Sequence, residues 1–232
     1  ESFRGRIAVP AVAAPMFLVS GPGLIIETCK AGIPAAFPAL NQRSTAEFVE
    51  WLDEVGGALG DAHAPWGVNL IVHRSNPRLE ADLAACVEHK VPFIVTSLGA
   101  VPDLVKAVHG YGGVVFHDVI SIRHAHKAAE AGVDGLIAVC AGAGGHSGAT
   151  SPFALVSEIR QFFHGTLLLA GAINEGHQVA AALVMGADLA WMGSRFIATR
   201  ESLAPEAYKQ MMLRAAAKDI VYTDAVSGVP AN

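Results

Sequence analysis

The chain has 232 residues, of which 52% are hydrophobic and only 16% charged, and its formal net charge is −5. Soluble domains typically carry ~25% charged residues, so this composition favours a sheet buried on both faces, whose strands are apolar throughout. Scattered Lys and Arg on an acidic chain argue against a nucleic-acid partner. The longest apolar stretch, residues 8–19, is shorter than the ~18 residues that cross a bilayer, which argues against a membrane anchor.

The cysteines and the two chain ends lead to expectations about the cellular compartment and about whether the sequence is the whole natural protein. Cys29, Cys86 and Cys140 form no C-x-x-C pair and are odd in number. This pattern favours reduced thiols in a cytoplasm over a disulfide framework. The opening Glu-Ser-Phe-Arg-Gly-Arg does not look like a signal peptide. Because the chain begins without Met and ends at Val-Pro-Ala-Asn, we expect a C-terminal part of the natural protein to lie outside it.

Short apolar runs alternate with amphipathic stretches along the whole chain. The runs predict strands, each bounded by Gly, Pro or Asn, at residues 9–14, 35–39, 67–71, 93–96, 114–117, 135–139, 166–170 and 189–192. Helices are predicted between them, among others at 44–59, 77–89, 121–131 and 174–185. The predicted capping residues are Ser44, Ser121, Ser151 and Asn174. In the repeated segments "KAGIP", "EAGVDG" and "MGADLA", a glycine is expected to end each helix before the next strand.

Eight βα units with no spare strand favour an α/β fold of the closed (β/α)₈ type, a TIM barrel, over an open doubly wound sheet. Since no linker or composition shift is visible, we expect residues 1–232 to form a single domain. In such barrels the chemistry lies where the strands end. No Lys stands at a predicted strand end and Asp118 is the only acid there, which argues against a Schiff-base aldolase and against a metal site. His124 and His126 fall within one helix and are expected to face solvent.

The ends of the last two strands predict a phosphate site. Ala170-Gly171-Ala172 and Gly193-Ser194 place small residues in the two loops that often bind phosphate in these barrels, helped by a helix N-terminus. The alternative is that Gly171 and Gly193 only permit tight turns. A flavin would suit such a barrel, because the cofactor brings its own chemistry and could meet Ala14, Met16 and Asn69 at the barrel mouth.

The stretch after the sixth strand, "AGAGGHSGATS", surrounds His146 with four glycines. Glycine is conformationally costly to order, so the stretch indicates that something approaches its backbone closely. The alternative is a flexible loop with an incidental histidine.

Five segments in order resemble the nitronate monooxygenase family, also called 2-nitropropane dioxygenases, which are FMN-binding (β/α)₈ barrels. They are "VAAPMFLVSGPGL", "GVNL", "AGAGGHSG", "AGAINEG" and "GADLAWMGSRF". The resemblance implies that His146 is the catalytic residue and that FMN is held by the residues at the strand ends. The implied FMN-binding residues are Ala14, Pro15 and Met16 against the flavin, Asn69 at the ring edge, Gly144 and Gly145 beside the ring, and Ala170, Gly171, Ala172, Gly193 and Ser194 around the phosphate.

Three positions depart from the family pattern. Gly142 stands where the family often has Glu, Ala172 stands where a second glycine is common, and Asp118 stands where many relatives have a lysine near the flavin. The lysine contact is therefore in doubt. Family members also usually continue beyond this C-terminus with helices that help wall the substrate pocket.

The resemblance implies oxidation of alkyl nitronates, or of nitroalkanes, by FMN and O₂ to carbonyl compounds and nitrite, without a nicotinamide. His146 would take a proton from a neutral nitroalkane or donate a hydrogen bond to a nitronate. One alternative is an FMN-dependent, NADH-using enoyl-acyl carrier protein reductase or quinone reductase. Another is a flavin-free phosphate-binding barrel, either an isomerase or a metabolite binder. The expected partners are a small-molecule substrate and O₂, and homodimerisation is left open.

Overall fold

A computed structural model describes Phe3, residues 5–99 and 101–225, Gly228 and residues 231–232. Parts of the opening Glu-Ser-Phe-Arg-Gly-Arg and of the final Val-Pro-Ala-Asn therefore lie outside the described residues. Eight parallel strands close into a barrel in sequence order. They are β1 (Ala11–Ala13), β2 (Ala35–Pro38), β3 (Trp66–Ile71), β4 (Phe93–Ser97), β5 (Val114–Val119), β6 (Gly135–Val139), β7 (Thr166–Ala170) and β8 (Leu189–Met192).

Helices follow the strands on the outside of the barrel. They are α1 (Pro22–Lys30), α2 (Thr45–Ala58), α3 (Leu79–Glu88), α4 (Pro102–His109), α5 (Ile122–Glu130), α6 (Pro152–Ile159), α7 (Gly176–Val184), α8 (Ser194–Ile197) and α9 (Glu206–Arg214). Two 3₁₀ turns, Ala39–Asn41 and Ala217–Asp219, complete the regular structure of the described residues. The predicted TIM barrel is confirmed.

Two strand boundaries differ from the prediction by two residues, and four others differ by one. β1 begins at Ala11 rather than at residue 9, since Val9 is exposed and Pro10 has no N–H to donate to a neighbouring strand. β5 runs to Val119, two residues beyond the predicted end. His117 and Asp118 are therefore strand residues on opposite faces of the sheet, and not neighbours in one loop.

The barrel has two apolar layers, and strand alternation assigns each residue to one of them. One cluster fills the barrel interior and includes Val12, Val95, Phe116, Ile137 and Leu168. The larger cluster lies between the sheet and the helices, with strand residues that alternate in sequence with the interior ones. This two-sided burial accounts for the low charge content of the chain.

The predicted repeat at the helix-to-strand returns is confirmed in backbone geometry. Gly32, Gly132 and Gly186 all have positive φ, between 82° and 107°, which glycine adopts without strain. In two of the repeats, an Asp carboxylate also accepts a backbone N–H group from a neighbouring strand. Asp134 Oδ2 accepts the N–H of Val115 at 2.7 Å, and Asp188 Oδ2 accepts the N–H of Leu167 at 2.8 Å. Each carboxylate thus ties the return to the start of a neighbouring strand.

The predicted helix caps are confirmed at two of the four positions. Ser44 and Ser121 accept backbone N–H groups at the start of α2 and α5. Ser151 directly precedes α6, but its side chain makes no such bond. Asn174 was the wrong residue: the cap of α7 is Glu175, since Gln178 Oε1 accepts the N–H groups of both residues and begins the helix one position later. In the described part of the chain, no helix has the length and apolarity needed to cross a membrane.

Candidate active site at the barrel mouth

Three polar side chains extend the interior of β3, β4 and β5 toward the carboxyl ends of the strands. Asn69 lies two residues after Gly67, Ser97 two after Val95, and Asp118 two after Phe116. Because side chains two apart share a face, all three belong to the interior layer at the barrel mouth. Asn69 was predicted for this site, whereas the partnership of Ser97 and Asp118 was missed. Strand alternation, applied to each strand end, is the signal that could have found it.

These three side chains form one hydrogen-bonded relay. Asn69 Nδ2 donates to Val95 O at 3.2 Å and to Ser97 Oγ at 2.8 Å. Ser97 Oγ in turn donates to Asp118 Oδ2 at 2.5 Å. Burial raises the pKa of Asp118 to about 6, although hydrogen bonds from Ser97 and from the Leu98 backbone act in the opposite direction. The mouth thus contains a half-buried carboxyl group whose pKa is raised above its usual range.

His117 lies on the other face of β5, toward the helices. Its Nδ1 is 2.7 Å from Thr96 Oγ1, which belongs to the outer face of β4. Burial, and to a smaller degree the proximity of His124 on α5, lower the pKa of His117 to about 4, while a hydrogen bond involving the Thr96 backbone acts in the opposite direction. His117 is therefore neutral near pH 7 and is separated from the mouth by the sheet. As predicted, His124 and His126 are exposed, and His126 stacks on Phe162.

The loop after β1 is fixed from two sides. The N–H of Ala14 donates to Met192 O at 2.8 Å, which continues the pairing of β1 with β8. Asn41, just after β2, donates through Nδ2 to Met16 O at 3.1 Å and accepts the N–H of Leu18 through Oδ1 at 2.8 Å. Ala14 is buried, whereas Pro15 and Met16 are half-buried. The predicted flavin-contacting segment is therefore held in place, and Asn41 is a supporting residue that the sequence did not reveal.

The loops after β6, β7 and β8 meet one another at the mouth. The N–H of Ala172 donates to Gly142 O at 2.9 Å. A Cβ on Gly144 would lie 3.3 Å from Ser194 Oγ, and one on Gly193 would lie 3.6 Å from Met16 Sδ. The predicted phosphate loops therefore adjoin the glycine-rich loop and the first loop. Since the N–H of Ala172 is already bonded, it is not among the amides that could bind a phosphate here.

The glycines around His146 are required for several separate structural reasons. Gly142 and Gly145 have φ of +86° and +73°, a backbone region that other residues rarely adopt. A Cβ on Gly148 would lie 2.7 Å from Val139 O, so packing against the end of β6 requires that glycine. Gly144 is close to Ser194, as described above. Much of the glycine pattern is therefore explained by the loop's own geometry, and His146 itself is exposed.

The last described residues pair with this loop. His146 forms an antiparallel bridge with Ala231, and Gly145 exchanges two backbone hydrogen bonds of 3.1 Å with Asn232. Asn232 Nδ2 also donates to Ala143 O at 2.8 Å and to Ser147 Oγ at 3.2 Å. No local pattern could have indicated this contact, because its partners lie 89 and 85 residues apart in the sequence.

Apolar side chains stand exposed around the mouth. They come from the loops after β1, β4 and β5 and from the start of α6, and we refer to them as the apolar rim: Phe17, Leu18, Leu98, Ile120 and Phe153. Phe153 and Leu98 are 75% and 74% exposed, respectively, which is unusual for side chains of this size. Within the described ranges, no group of three or more His, Cys, Asp or Glu side chains is arranged to hold a metal ion.

Comparison with known proteins gives consistent results for fold and family. The chain superposes on the structure of FabK from Thermotoga maritima with a TM-score of 0.86 and 28% identity, covering 97% of this chain and 70% of that one. It is 31% identical over 159 residues to a nitronate monooxygenase of Paraburkholderia phytofirmans, covering 64% of this chain and 43% of the relative. It is also 29% identical over 228 residues to an octahydro-indene-carboxyl-CoA dehydrogenase of Mycobacterium tuberculosis, covering 95% of this chain and 61% of the relative.

The chain thus spans less than two thirds of the length of these two curated relatives. The family model described as nitronate monooxygenase matches residues 37–232, which include the end of β2, the six strands that follow it and every loop at the mouth except the first. The segments that carried the resemblance after β3, β6, β7 and β8 all fall within that match. The chain belongs to the nitronate monooxygenase family.

Proposed function

We propose that this chain forms, as a single domain, the FMN-binding barrel of an oxidoreductase that converts alkyl nitronates and O₂ to carbonyl compounds and nitrite. The observation that carries this proposal is the meeting of four loops at one mouth, with Gly144 beside Ser194 and Gly193 beside Met16. The family membership and the nitronate monooxygenase relative support it.

The residues at the mouth fit a flavin. A Cβ added to Gly193 would have no neighbour closer than 3.6 Å, and one added to Gly145 would have none within 4 Å, so both glycines leave room for a bound group. Asn69 is proposed to meet the ring edge, whereas Ala14 and Met16 are proposed to pack against the ring, because their N–H groups are already bonded to Met192 O and Ser20 Oγ. Gly171, Gly193 and Ser194 are proposed to hold the phosphate. Ala170 and Ala172 would contribute packing. When bound, FMN would accept electrons from the substrate and pass them to O₂.

His146 is the residue that we propose acts on the substrate. It extends from the glycine-rich loop at the mouth, and its loop is held by Ala231 and Asn232. A neutral imidazole can take the proton from the carbon next to the nitro group of a nitroalkane, giving the nitronate and an imidazolium. Toward a nitronate that is already anionic, a ring N–H would donate a hydrogen bond to a nitro oxygen.

The apolar rim favours a substrate with an apolar chain. Alkyl carbons packed on Leu98, Ile120 and Phe153 would be removed from water at a gain of about 25 cal/mol per Å². The nitro group, which is polar, would then face His146. We therefore expect nitronates with longer alkyl chains to be better substrates than the nitronate of nitromethane.

A reductase acting on an acyl thioester is the second candidate. Similarity to FabK over nearly the whole chain and to the carboxyl-CoA dehydrogenase over 95% of it supports this candidate, and the apolar rim would accept an acyl chain equally well. NADH would then be consumed, which nitronate oxidation does not require.

One experiment separates the candidates. The purified protein is supplied with a series of nitronates while oxygen uptake is followed, and the same preparation is given NADH with and without an enoyl thioester or a quinone. Oxygen uptake and nitrite release without NADH support nitronate oxidation. NADH oxidation that depends on the thioester or quinone supports the reductase. A colourless preparation that binds no flavin would contradict both and favour a flavin-free phosphate-binding barrel.

A further inference from the structure

The relay at the mouth restricts how the amide of Asn69 can be oriented. Both Nδ2 hydrogens are used, one by Val95 O and one by Ser97 Oγ. Turning the amide over would bring Oδ1 against the Val95 carbonyl oxygen, and two acceptors cannot bond each other. The observed orientation leaves Oδ1, an acceptor with two lone pairs, outside the relay.

Asp118 determines the direction of the bonds. The Ser97 hydroxyl has one proton, and it donates this proton to Asp118 Oδ2. Its oxygen is thereby left as the acceptor for Asn69, and not as a competing donor. A chain of hydrogen bonds from Asn69 to Ser97 to Asp118 therefore runs in one direction across three neighbouring strands, which pair in register at Asn69 and Val95 and at Val95 and Phe116.

We propose that Ser97 and Asp118 are positioning residues that fix Asn69 with its amide oxygen toward the barrel mouth, where it accepts a ring N–H of FMN. The proposal rests on FMN binding, as proposed above. The oxidised flavin ring has one N–H, at N3, between two carbonyl groups. A fixed acceptor therefore distinguishes this edge from the rest of the ring, and a freely rotating amide would not.

The first test uses the cofactor-free protein labelled with ¹⁵N. We expect the side-chain NH₂ of Asn69 to exchange slowly with solvent in the wild type and at least tenfold faster in Ser97→Ala and Asp118→Ala. Asp118→Asn should stay close to the wild type, because its amide oxygen can still accept the Ser97 proton. Equal exchange rates in all four proteins would overturn the relay, whatever the protein binds.

The second test titrates FMN and follows the quenching of its fluorescence. We expect Ser97→Ala and Asp118→Ala to bind FMN about fivefold more weakly, as the loss of one oriented hydrogen bond predicts. With ¹⁵N-labelled FMN, the N3 proton should be protected from exchange in the wild type and should lose that protection in both variants. Thr96→Val is the matched control, because Thr96 precedes Ser97 on the same strand but bonds His117 on the outer face.

The outcomes separate the two proposals. A wild type that binds no FMN would contradict the proposed function and remove the donor of the hydrogen bond to Asn69. A wild type that binds FMN while Ser97→Ala and Asp118→Ala bind it equally tightly, with N3 still protected, would overturn the positioning role alone. Weaker binding in Thr96→Val to the same degree would also overturn it, because the effect would then be a general loss of packing.

Discussion

His146→Asn separates the two roles that this histidine can have. General-base assistance typically contributes ~10²–10⁴-fold in rate, and Asn cannot accept a proton near pH 7. We expect the variant to bind FMN and to lose most activity toward neutral nitroalkanes. Its loss toward preformed nitronates should be smaller, because their carbon proton has already been removed. The measurement is kcat/KM for each substrate form.

The pH dependence provides the control for that variant. A general base acts only when it is deprotonated, so any rise of wild-type activity on a neutral nitroalkane with pH should be absent in His146→Asn. Equal losses on both substrate forms would indicate that His146 positions the substrate and is not a base. Full activity on both would show that it takes no part in the reaction.

His117 and Asp118, adjacent in sequence, should oppose each other in the pH dependence of stability. The pKa of Asp118 is raised from 3.8 to about 6, so its contribution is present at low pH and is lost as pH rises through 6. The pKa of His117 is lowered from 6.5 to about 4, so its contribution is present above 6.5 and is lost as pH falls through 4. Within this shared range the two effects largely cancel.

Asp118→Asn should reveal the histidine effect. With the carboxyl group removed, the free energy of unfolding should rise between pH 4 and 6.5 by on the order of 3 kcal/mol, since each unit of pKa shift corresponds to 1.36 kcal/mol. Urea unfolding at intervals across that range measures it, with the wild type as the reference. A variant whose stability is as flat as that of the wild type would show that His117 is not desolvated as described.

Among the structural elements, the turn between β8 and α8 provides the sharpest test of the phosphate site. Gly193→Val would place a branched side chain in the space proposed for FMN. Its Cβ alone would lie 3.6 Å from Met16 Sδ. We expect FMN occupancy to be lost. Ser194→Ala should weaken binding by less than tenfold, because one neutral hydrogen bond contributes about 1 kcal/mol. Flavin absorbance per mole of purified protein measures occupancy, and full occupancy in Gly193→Val would place the phosphate elsewhere.

The elements themselves were largely predictable because their signals are local. Apolar runs bounded by Gly or Pro indicated the strands, and Gly132 and Gly186 marked the helix ends where the backbone needs a positive φ. The errors also have local causes. The cap of α7 shifted by one residue because Gln178 bonds two successive N–H groups. The predicted end of β5 fell short because His117 and Asp118 interrupt the apolar run, although Val119 is again buried.

At the scale of the whole molecule, the candidate site was only partly predictable. Asn69 and the glycine loops could be placed from motifs, and strand alternation could have placed Ser97 and Asp118 on the interior face. Their hydrogen bond depends in addition on the register of two strands, which no single segment encodes. The contact of Asn232 with the glycine-rich loop joins residues 89 apart, and only the folded chain brings them together.

The whole barrel should hold its cofactor without a covalent bond. Cys140 directly follows β6 at the barrel mouth and is buried. Burial raises the pKa of its thiol to about 12, so it is a poor nucleophile. Acid precipitation should release all the flavin into the supernatant, where chromatography identifies it as FMN. Flavin that stays with the pellet would show covalent attachment, and FAD in the supernatant would contradict the predicted phosphate site.

The pairing of Asn232 with Gly145 has a consequence for the order of folding. The barrel strands lie within residues 11–192, so all eight can be synthesised and can pair while residues 231–232 are still absent. A nascent chain on the ribosome would therefore reach a closed barrel first, and the loop that carries His146 would take its final shape only after residue 232 had emerged.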